Sequence, residues 1–177
     1  GRYGGFGGIT LDAQDDDTIV VTSLSFWDDK GHNIYRSTDG GESWDALYTK
    51  TEKNYQMDVS EADWLTWGRG EASIGWWTAA VALDPFNSDK VSYGTGATLY
   101  STENLTDLGS ETPVTIKFDA KGIEETAVYN MVAPPYDENS PQMYSIMGDL
   151  TGFSHLDVEK SPDDAHFFKN GDAQSVD

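Results

Sequence analysis

The stretch YRSTDGGESW, residues 35–44, decides how the chain is read. It continues the apolar run NIYRS (33–37) and carries Ser37, Asp39, Gly41 and Trp44 at the spacing S-x-D-x-G-x-x-W. Ser and Asp side chains bond backbone groups a residue or two away and so fold a turn on itself. Gly40 and Gly41 accept positive φ without steric cost. Trp44 is a large apolar plug, expected to pack in the core beneath the turn it closes. The segment therefore reads as a hairpin tip rather than a catalytic motif, and a hairpin tip makes its flanking runs strands.

Working outward, short apolar runs recur: TIVVTSLSF (18–26), WWTAAVAL (76–83), KVSYGTG (90–96), TLYST (98–102), VTIKF (114–118), TAVYNMVA (126–133) and QMYSIMG (142–148). Asp15-Asp16-Asp17, Gly40-Gly41, Asp84-Pro85 and Pro134-Pro135 punctuate them. No segment holds a 3.6-residue period over three turns; residues 155–170 read as a short helix or an acidic loop. Many short strands separated by Gly and Pro predict an all-β fold of the sandwich, barrel or propeller kind.

An internal repeat narrows the choice. GGITLDAQDDDTIVVTS followed by NIYRSTDGG, and WWTAAVALDPFNSDKVSYGTGATLYSTENL, follow one template: strand, Asp-containing turn, strand, gap, and a strand ending in Tyr-Ser-Thr or its like. TAVYNMVAPPYDENSPQMYSIMGDLTGF begins it a third time. A spacing of about fifty to seventy residues suits β-propeller blades, each a four-stranded antiparallel sheet. The second copy has Glu103 aligned with Asp39 and lacks the closing Gly-x-x-Trp, so its tip is expected to have decayed. About three blades cannot close a ring of four to eight, which predicts a piece of a longer protein.

Composition sets the outer limits. Against 11 basic residues stand 31 acidic ones, a formal charge of −20. Such a surface repels phosphate backbones and anionic membrane faces, which excludes nucleic acid and membrane as partners. There is no cysteine for a disulfide or thiolate metal site, and no apolar run of eighteen residues to span a bilayer. GRYGGFGGIT at the N-terminus lacks the features of a signal peptide, so a secretion signal would lie upstream. His32, His155 and His166 show no metal-ligand spacing, and no nucleophile triad, P-loop or dinucleotide fingerprint occurs; no metal and no cofactor are expected. The expectation is an acidic, extracellular protein.

With the Asp-box motif at 37–44 in place, the chain resembles glycoside hydrolase family 74, the xyloglucanases. FGGITLDAQDDDTIVVTSLSFW followed by IYRSTDGGESW resembles the last complete blade of that family's first propeller. GWWTAAVALDPFNSDKVSYGTGATLY, GIEETAVYNMVAPP and GDLTGFSH resemble the opening of its second. The resemblance thus implies that residues 1–70 are the last blade or blades of a first propeller and residues 71–177 the first blades of a second. It further implies two facing seven-bladed propellers with a xyloglucan chain in the cleft, whose β-1,4-glucan backbone is hydrolysed with inversion by one carboxylic acid from each propeller. An inverting pair needs its carboxyls about 6.5–9.5 Å apart, so that a water fits between them.

Carried over onto Gly148-Asp149-Leu150-Thr151-Gly152-Phe153, the resemblance makes Asp149 the general acid. The partner base belongs to an Arg-Thr-Asp segment that these residues do not contain, so the missing remainder of the two-propeller chain is a required partner and the piece alone is expected to be inactive. Asp177 is a lesser acidic candidate. Sugar rings present apolar C–H faces that stack on indoles, and the chain has six Trp. Trp27, at the strand exit SFWDD, and Trp64, Trp67 and Trp76, in DWLTWGRGEASIGWW (63–77), are the candidate substrate-binding residues. Trp77 alternates with Trp76 along one strand, so one of the two faces inward. Asp63, Arg69, Glu124 and Glu125 are candidates to bond sugar hydroxyls. Residues 59–75 look short for the loop that blocks the cleft in exo-acting, reducing-end-specific members, which favours endo action. The reading of another class is a non-catalytic propeller that binds glycan or protein.

Overall fold

The computed structural model describes residues 4–24, 32–49, 51–62, 73–96, 98–123, 127–135, 137–148 and 151–162. Among these the chain is all-β, with strands and one 3-10 turn and no α-helix. It packs as two compact units. One holds residues 1–61 and 73–121; the other holds 62–72 and 122–177.

The first unit opens with an antiparallel meander of four strands: β1 (Gly5–Leu11), β2 (Ile19–Leu24), β3 (Ile34–Ser37) and β4 (Asp45–Ala46). In β2, Val20 and Thr22 are buried and their neighbours Ile19 and Val21 half-buried, the period-2 alternation of a pleated strand. Asp15 ties the turn before β2, accepting from the Thr18 hydroxyl at 2.8 Å. At the far end, Ser37 is buried and closes the hairpin tip predicted from 35–44. Its Oγ accepts from the N–H of Gly41 at 2.9 Å and donates to Asp39 Oδ1 at 2.7 Å. Gly40 and Gly41 take φ of 72° and 96°, values only glycine adopts freely. Trp44 departs from expectation. It is 42 % exposed, its indole N–H bonded to the Gly41 carbonyl at 3.0 Å, so it covers the turn from outside instead of filling the core.

The second sheet of this unit is a meander of β6 (Ala80–Asp84), β7 (Asn87–Gly94), β8 (Leu99–Thr102) and β9 (Val114–Phe118), joined on its outer edge by β5 (Tyr55–Asp58). The expected blade of four antiparallel strands thus carries a fifth, because β5, the next strand in the chain after the first sheet, runs parallel to β9, Tyr55 opposite Val114 and Asp58 opposite Lys117. Tyr93, Tyr100 and Phe118 form its aromatic core, with Tyr93 stacked on Tyr100 at 5.1 Å and Tyr100 edge-on to Phe118 at 5.0 Å. Val91, Val114 and Ile116 complete it, each fully buried aliphatic side chain stabilising the fold by roughly 1.5–3 kcal/mol. The tip after β8 has not decayed. Asn104, not Glu103, stands where Asp39 does: Thr102 Oγ donates to Asn104 Oδ1 at 3.1 Å and accepts from the Asn104 N–H at 3.2 Å.

The two sheets meet through their first strands. A Cβ on Gly7 or Gly8 of β1 would fall within about 3 Å of Thr78, Ala79 or Val81 in or before β6, so glycine is what lets the backbones approach. Thr22 Oγ donates to the Thr78 carbonyl at 2.8 Å and Gln14 Nε2 to the Pro85 carbonyl at 2.6 Å. The other unit contains an antiparallel sheet of three described strands: β10 (Val128–Val132), β11 (Met143–Met147) and β12 (Thr151–His155). The stretch taken for a helix or loop from residue 155 begins as the end of β12 and continues as turns to residue 162; the remainder lies outside the described residues. Large apolar side chains stay open on both first strands: Phe6, Ile9 and Leu11 of β1, and Val128, Tyr129 and Met131 of β10. No helix among the described residues is long and apolar enough to cross a membrane.

Candidate functional site

In each sheet the link between the second and third strands lies at the end where the first strand begins, a consequence of up-and-down order. Those links are residues 25–33, 95–98 and 148–150. Two of them frame candidate sites.

Residues 73–79 lead into β6 and lie along the 95–98 turn. The Gly96 N–H donates to the Trp76 carbonyl at 2.6 Å, and the Ala79 N–H to Gly94 at 3.3 Å. Thr95 closes the turn: its N–H and Oγ donate to the Thr98 carbonyl at 2.9 and 3.0 Å, and its Oγ accepts the Thr98 N–H at 3.0 Å. From the first sheet, Thr22 holds Thr78, and the Trp77 N–H donates to His32 Nδ1 at 3.1 Å. Burial lowers the His32 pKa below its usual 6.5 and so favours the neutral ring, the form in which Nδ1 can accept. The segment is pinned from both sheets.

This pinning changes what Trp76 and Trp77 do. Trp77 sits at φ 54°, the one described non-glycine residue with positive φ, and follows Gly75 at φ 82°. Strand geometry starts only at Ala80, so the alternation expected of Trp76 and Trp77 does not apply: Trp76 is 40 % and Trp77 48 % exposed. Gly96 makes room for both. A Cβ there would lie 2.7 Å from Trp76 Nε1 and 2.9 Å from its Cδ1, and closer still to the ring of Trp77. A Cβ on Gly75 would press on Thr95 at 2.7–2.9 Å.

The second candidate is the β11–β12 turn. The Gly148 N–H donates to the Ala127 carbonyl at 2.8 Å, and a Cβ on Gly148 would lie 2.8 Å from the Tyr129 hydroxyl. A Cβ on Gly152 would run into the Ser145 carbonyl oxygen. Close approach of backbone thus requires the second glycine of G-D-x-x-G-F, whereas the hydroxyl beside Gly148 is the far end of the exposed Tyr129 side chain. Ser145 Oγ and His155 Nε2 lie 2.9 Å apart, and burial lowers the His155 pKa. Asp149 lies outside the described residues, as do Trp27, Trp64, Trp67, Asp63, Arg69, Glu124, Glu125 and Asp177. Of the expected substrate-binding residues, Trp76 is described, and it is open to solvent. Sequence reasoning took Gly96 only as a turn signal and His32 only as a histidine without metal-ligand spacing, and it passed over Tyr129; the glycine-rich YGTGATLY was the available sign that something packs closely at 94–96. Among the described residues no group of three or more His, Asp or Glu could hold a metal ion.

No family model matches the chain. It is 40 % identical over 172 residues to a xyloglucanase of Acetivibrio thermocellus, covering 91 % of this chain and 20 % of that protein. With a xyloglucanase of a Paenibacillus species it shares 38 % over 173 residues, 91 % of this chain and 16 % of that protein. With the oligoxyloglucan-reducing end-specific xyloglucanase of Emericella nidulans it shares 31 % over 186 residues, 88 % and 22 %. The crystal structure of the glycoside hydrolase family 74 xyloglucanase from Xanthomonas campestris superposes with a TM-score of 0.74 at 26 % identity, covering 97 % of this chain and 22 % of that one. The chain is a segment of a family 74 protein. A family 74 enzyme of Niastella koreensis, at 23 % identity and a TM-score of 0.71, has the same fold. This family 74 segment spans about a fifth of the length of the relatives it matches.

Proposed function

We propose that the protein carrying this segment is a secreted glycosidase that cleaves the β-1,4-glucan backbone of xyloglucan with inversion, and that Asp149 is its general acid. The observation that carries the reading is the match, over 91 % of the chain, to proteins named xyloglucanases. The β11–β12 turn is consistent with it. Gly152, where a Cβ would run into the Ser145 carbonyl, and the Gly148 N–H bond to the Ala127 carbonyl tie the two described ends of the turn to the sheet, as a scaffold for a reacting side chain requires. Trp76, open at the corresponding end of its own sheet, is a sugar-stacking residue in this reading, and Trp27, Trp64 and Trp67 are its counterparts. The apolar side chains open on β1, and those open on β10, each suit a further blade packed against that strand. Contact between β1 and β6 is how consecutive blades of one ring meet; it supports moving the junction between two propellers from residue 70 to the stretch after β9. Secretion follows from the substrate, since a cell-wall polymer cannot enter the cell.

The test is Asp149→Asn in the full-length protein, assayed for reducing-sugar release from tamarind xyloglucan. Loss of roughly a thousandfold with the fold intact is expected for an essential general acid. Near-normal activity moves the assignment elsewhere. Endo action predicts a spread of large products early in the digest; a single oligosaccharide class from the outset would instead mark an exo enzyme.

A further inference from the structure

We propose that His32 is a positioning residue for glycan binding: its imidazole locks the peptide group that joins Trp76 to Trp77 and so fixes the direction of the Trp76 ring. The inference rests on the functional reading above, in which Trp76 stacks on a sugar, and adds to it a residue that touches no sugar. The peptide group is gripped at both polar ends. Its carbonyl, on Trp76, accepts the Gly96 N–H at 2.6 Å, and its N–H, on Trp77, donates to His32 Nδ1 at 3.1 Å. Gly96 lies in the link between β7 and β8 and His32 in the link between β2 and β3, so each sheet supplies one grip.

A planar peptide yields by rotating as a unit about the dihedrals on either side of it. This one has a reason to rotate, because Trp77 holds φ 54°, a strained value for a bulky side chain. Such a backbone persists only where its surroundings over-determine it. The grip of His32 is itself braced. Asn33, the next residue, is buried; its N–H donates to Ser23 Oγ at 2.7 Å, its carbonyl accepts the Ser23 N–H at 2.9 Å, and its Nδ2 donates to the Tyr48 carbonyl at 2.6 Å. A histidine rooted in this way acts as a strut between the sheets. Without its acceptor the peptide rotates to relieve the strain at Trp77 and turns the Trp76 ring away from the chain it stacks on. Filling space calls only for the bulk of the imidazole, whereas holding the peptide calls for an acceptor at the place of Nδ1.

Two substitutions in the full-length protein separate acceptor from bulk. Asparagine puts its Oδ1 where Nδ1 stands, while glutamine, closer to histidine in size, carries its amide out to the place of Nε2. With tamarind xyloglucan as substrate, His32→Asn keeps KM within about twofold of the parent, and His32→Gln raises it about fivefold with kcat within about twofold, the pattern of lost uniform binding. In a Trp76→Ala background the two variants have the same KM, because no ring is left to aim. An active parent protein in which glutamine preserves KM as well as asparagine does, or better, overturns this inference alone and makes His32 a packing residue, whatever the unfolding midpoints of the variants. A difference between them that survives Trp76→Ala overturns it too. A parent protein with no activity on xyloglucan overturns the functional reading, and this inference with it.

Discussion

The hairpin tips of the two sheets in the first unit share a plan and execute it with different chemistry. After β3, the buried Ser37 is followed two residues on by Asp39, whose carboxylate gathers donors and nothing else. It accepts the Ser37 hydroxyl at 2.7 Å, the Ser43 N–H at 2.9 Å and the Ser43 hydroxyl at 2.5 Å. After β8, Thr102 is followed two residues on by Asn104, whose amide both accepts and donates. Its Oδ1 takes Thr102 Oγ at 3.1 Å and the Thr115 N–H at 2.8 Å, while its Nδ2 donates to Asp107 Oδ2 at 2.8 Å and to the Pro113 carbonyl at 3.3 Å. A carboxylate suffices where the local backbone offers only N–H groups, as in the tight Gly40-Gly41 turn. Once the turn lengthens into the 3-10 turn Leu105–Asp107, carbonyls and a carboxylate face inward as well, and only an amide satisfies both kinds. The plug differs too. Trp44 covers the first tip from outside, whereas Leu105 and Leu108 are buried beneath the second. Both N–H bonds of the Asn104 amide are thereby spent on the turn, although Asn104-Leu105-Thr106 reads as a glycosylation sequon.

The sharpest way to break the comparison is Asn104→Asp. It puts a carboxylate against Asp107 and the Pro113 carbonyl, which accept and cannot donate. Thermal or denaturant unfolding of the full-length protein is expected to show a loss of about 2–3 kcal/mol, while Asp39→Asn, in the tip that tolerates either acceptor, moves stability less. Equal effects would mean that the Nδ2 bonds contribute nothing.

Next in size is the pair Ser37→Ala and Thr102→Ala. Ser37 Oγ accepts two N–H groups, from Asp39 and Gly41, and Thr102 Oγ accepts one, from Asn104. The serine variant should therefore cost about 1–2 kcal/mol and the threonine variant about half of that; a reversed order would refute the shared plan.

The smallest effect separates the tips by pH. The Ser43 hydroxyl and N–H, and then the Ser37 hydroxyl, draw the Asp39 pKa from 3.8 down to about 2. A depressed carboxyl stabilises the folded state fully above its unfolded pKa, and this contribution fades as pH falls from 3.8 through about 2. Amide exchange at Gly41 and Ser43 should accelerate over that window in excess of the intrinsic pH trend. Exchange at Thr115, whose partner is an amide oxygen that does not titrate, should follow the intrinsic trend alone.

What the sequence determined by itself is local. The Ser-x-Asp-Gly-Gly turn and the all-β reading were legible because turn chemistry and period-2 patterning act within a few residues. The repeat was legible for the same reason, although its alignment slipped by one residue. Glu103 and Asn104 both resemble Asp39 on paper, and only the hydrogen bonds to Thr102 and Thr115 choose between them. The tertiary structure decided everything whose partner lies far along the chain. Nothing in YQMD says that residues 55–58 will join the second sheet by pairing in parallel with β9, since the partners are 59 residues away. Nor does GWW say that Trp77 will turn left-handed, because the acceptor that holds it there, His32, is 45 residues back. Short-range preference is written in the side chains themselves, whereas long-range pairing is a property of the assembled backbone, which must satisfy every buried N–H and C=O with whatever group the fold brings to it.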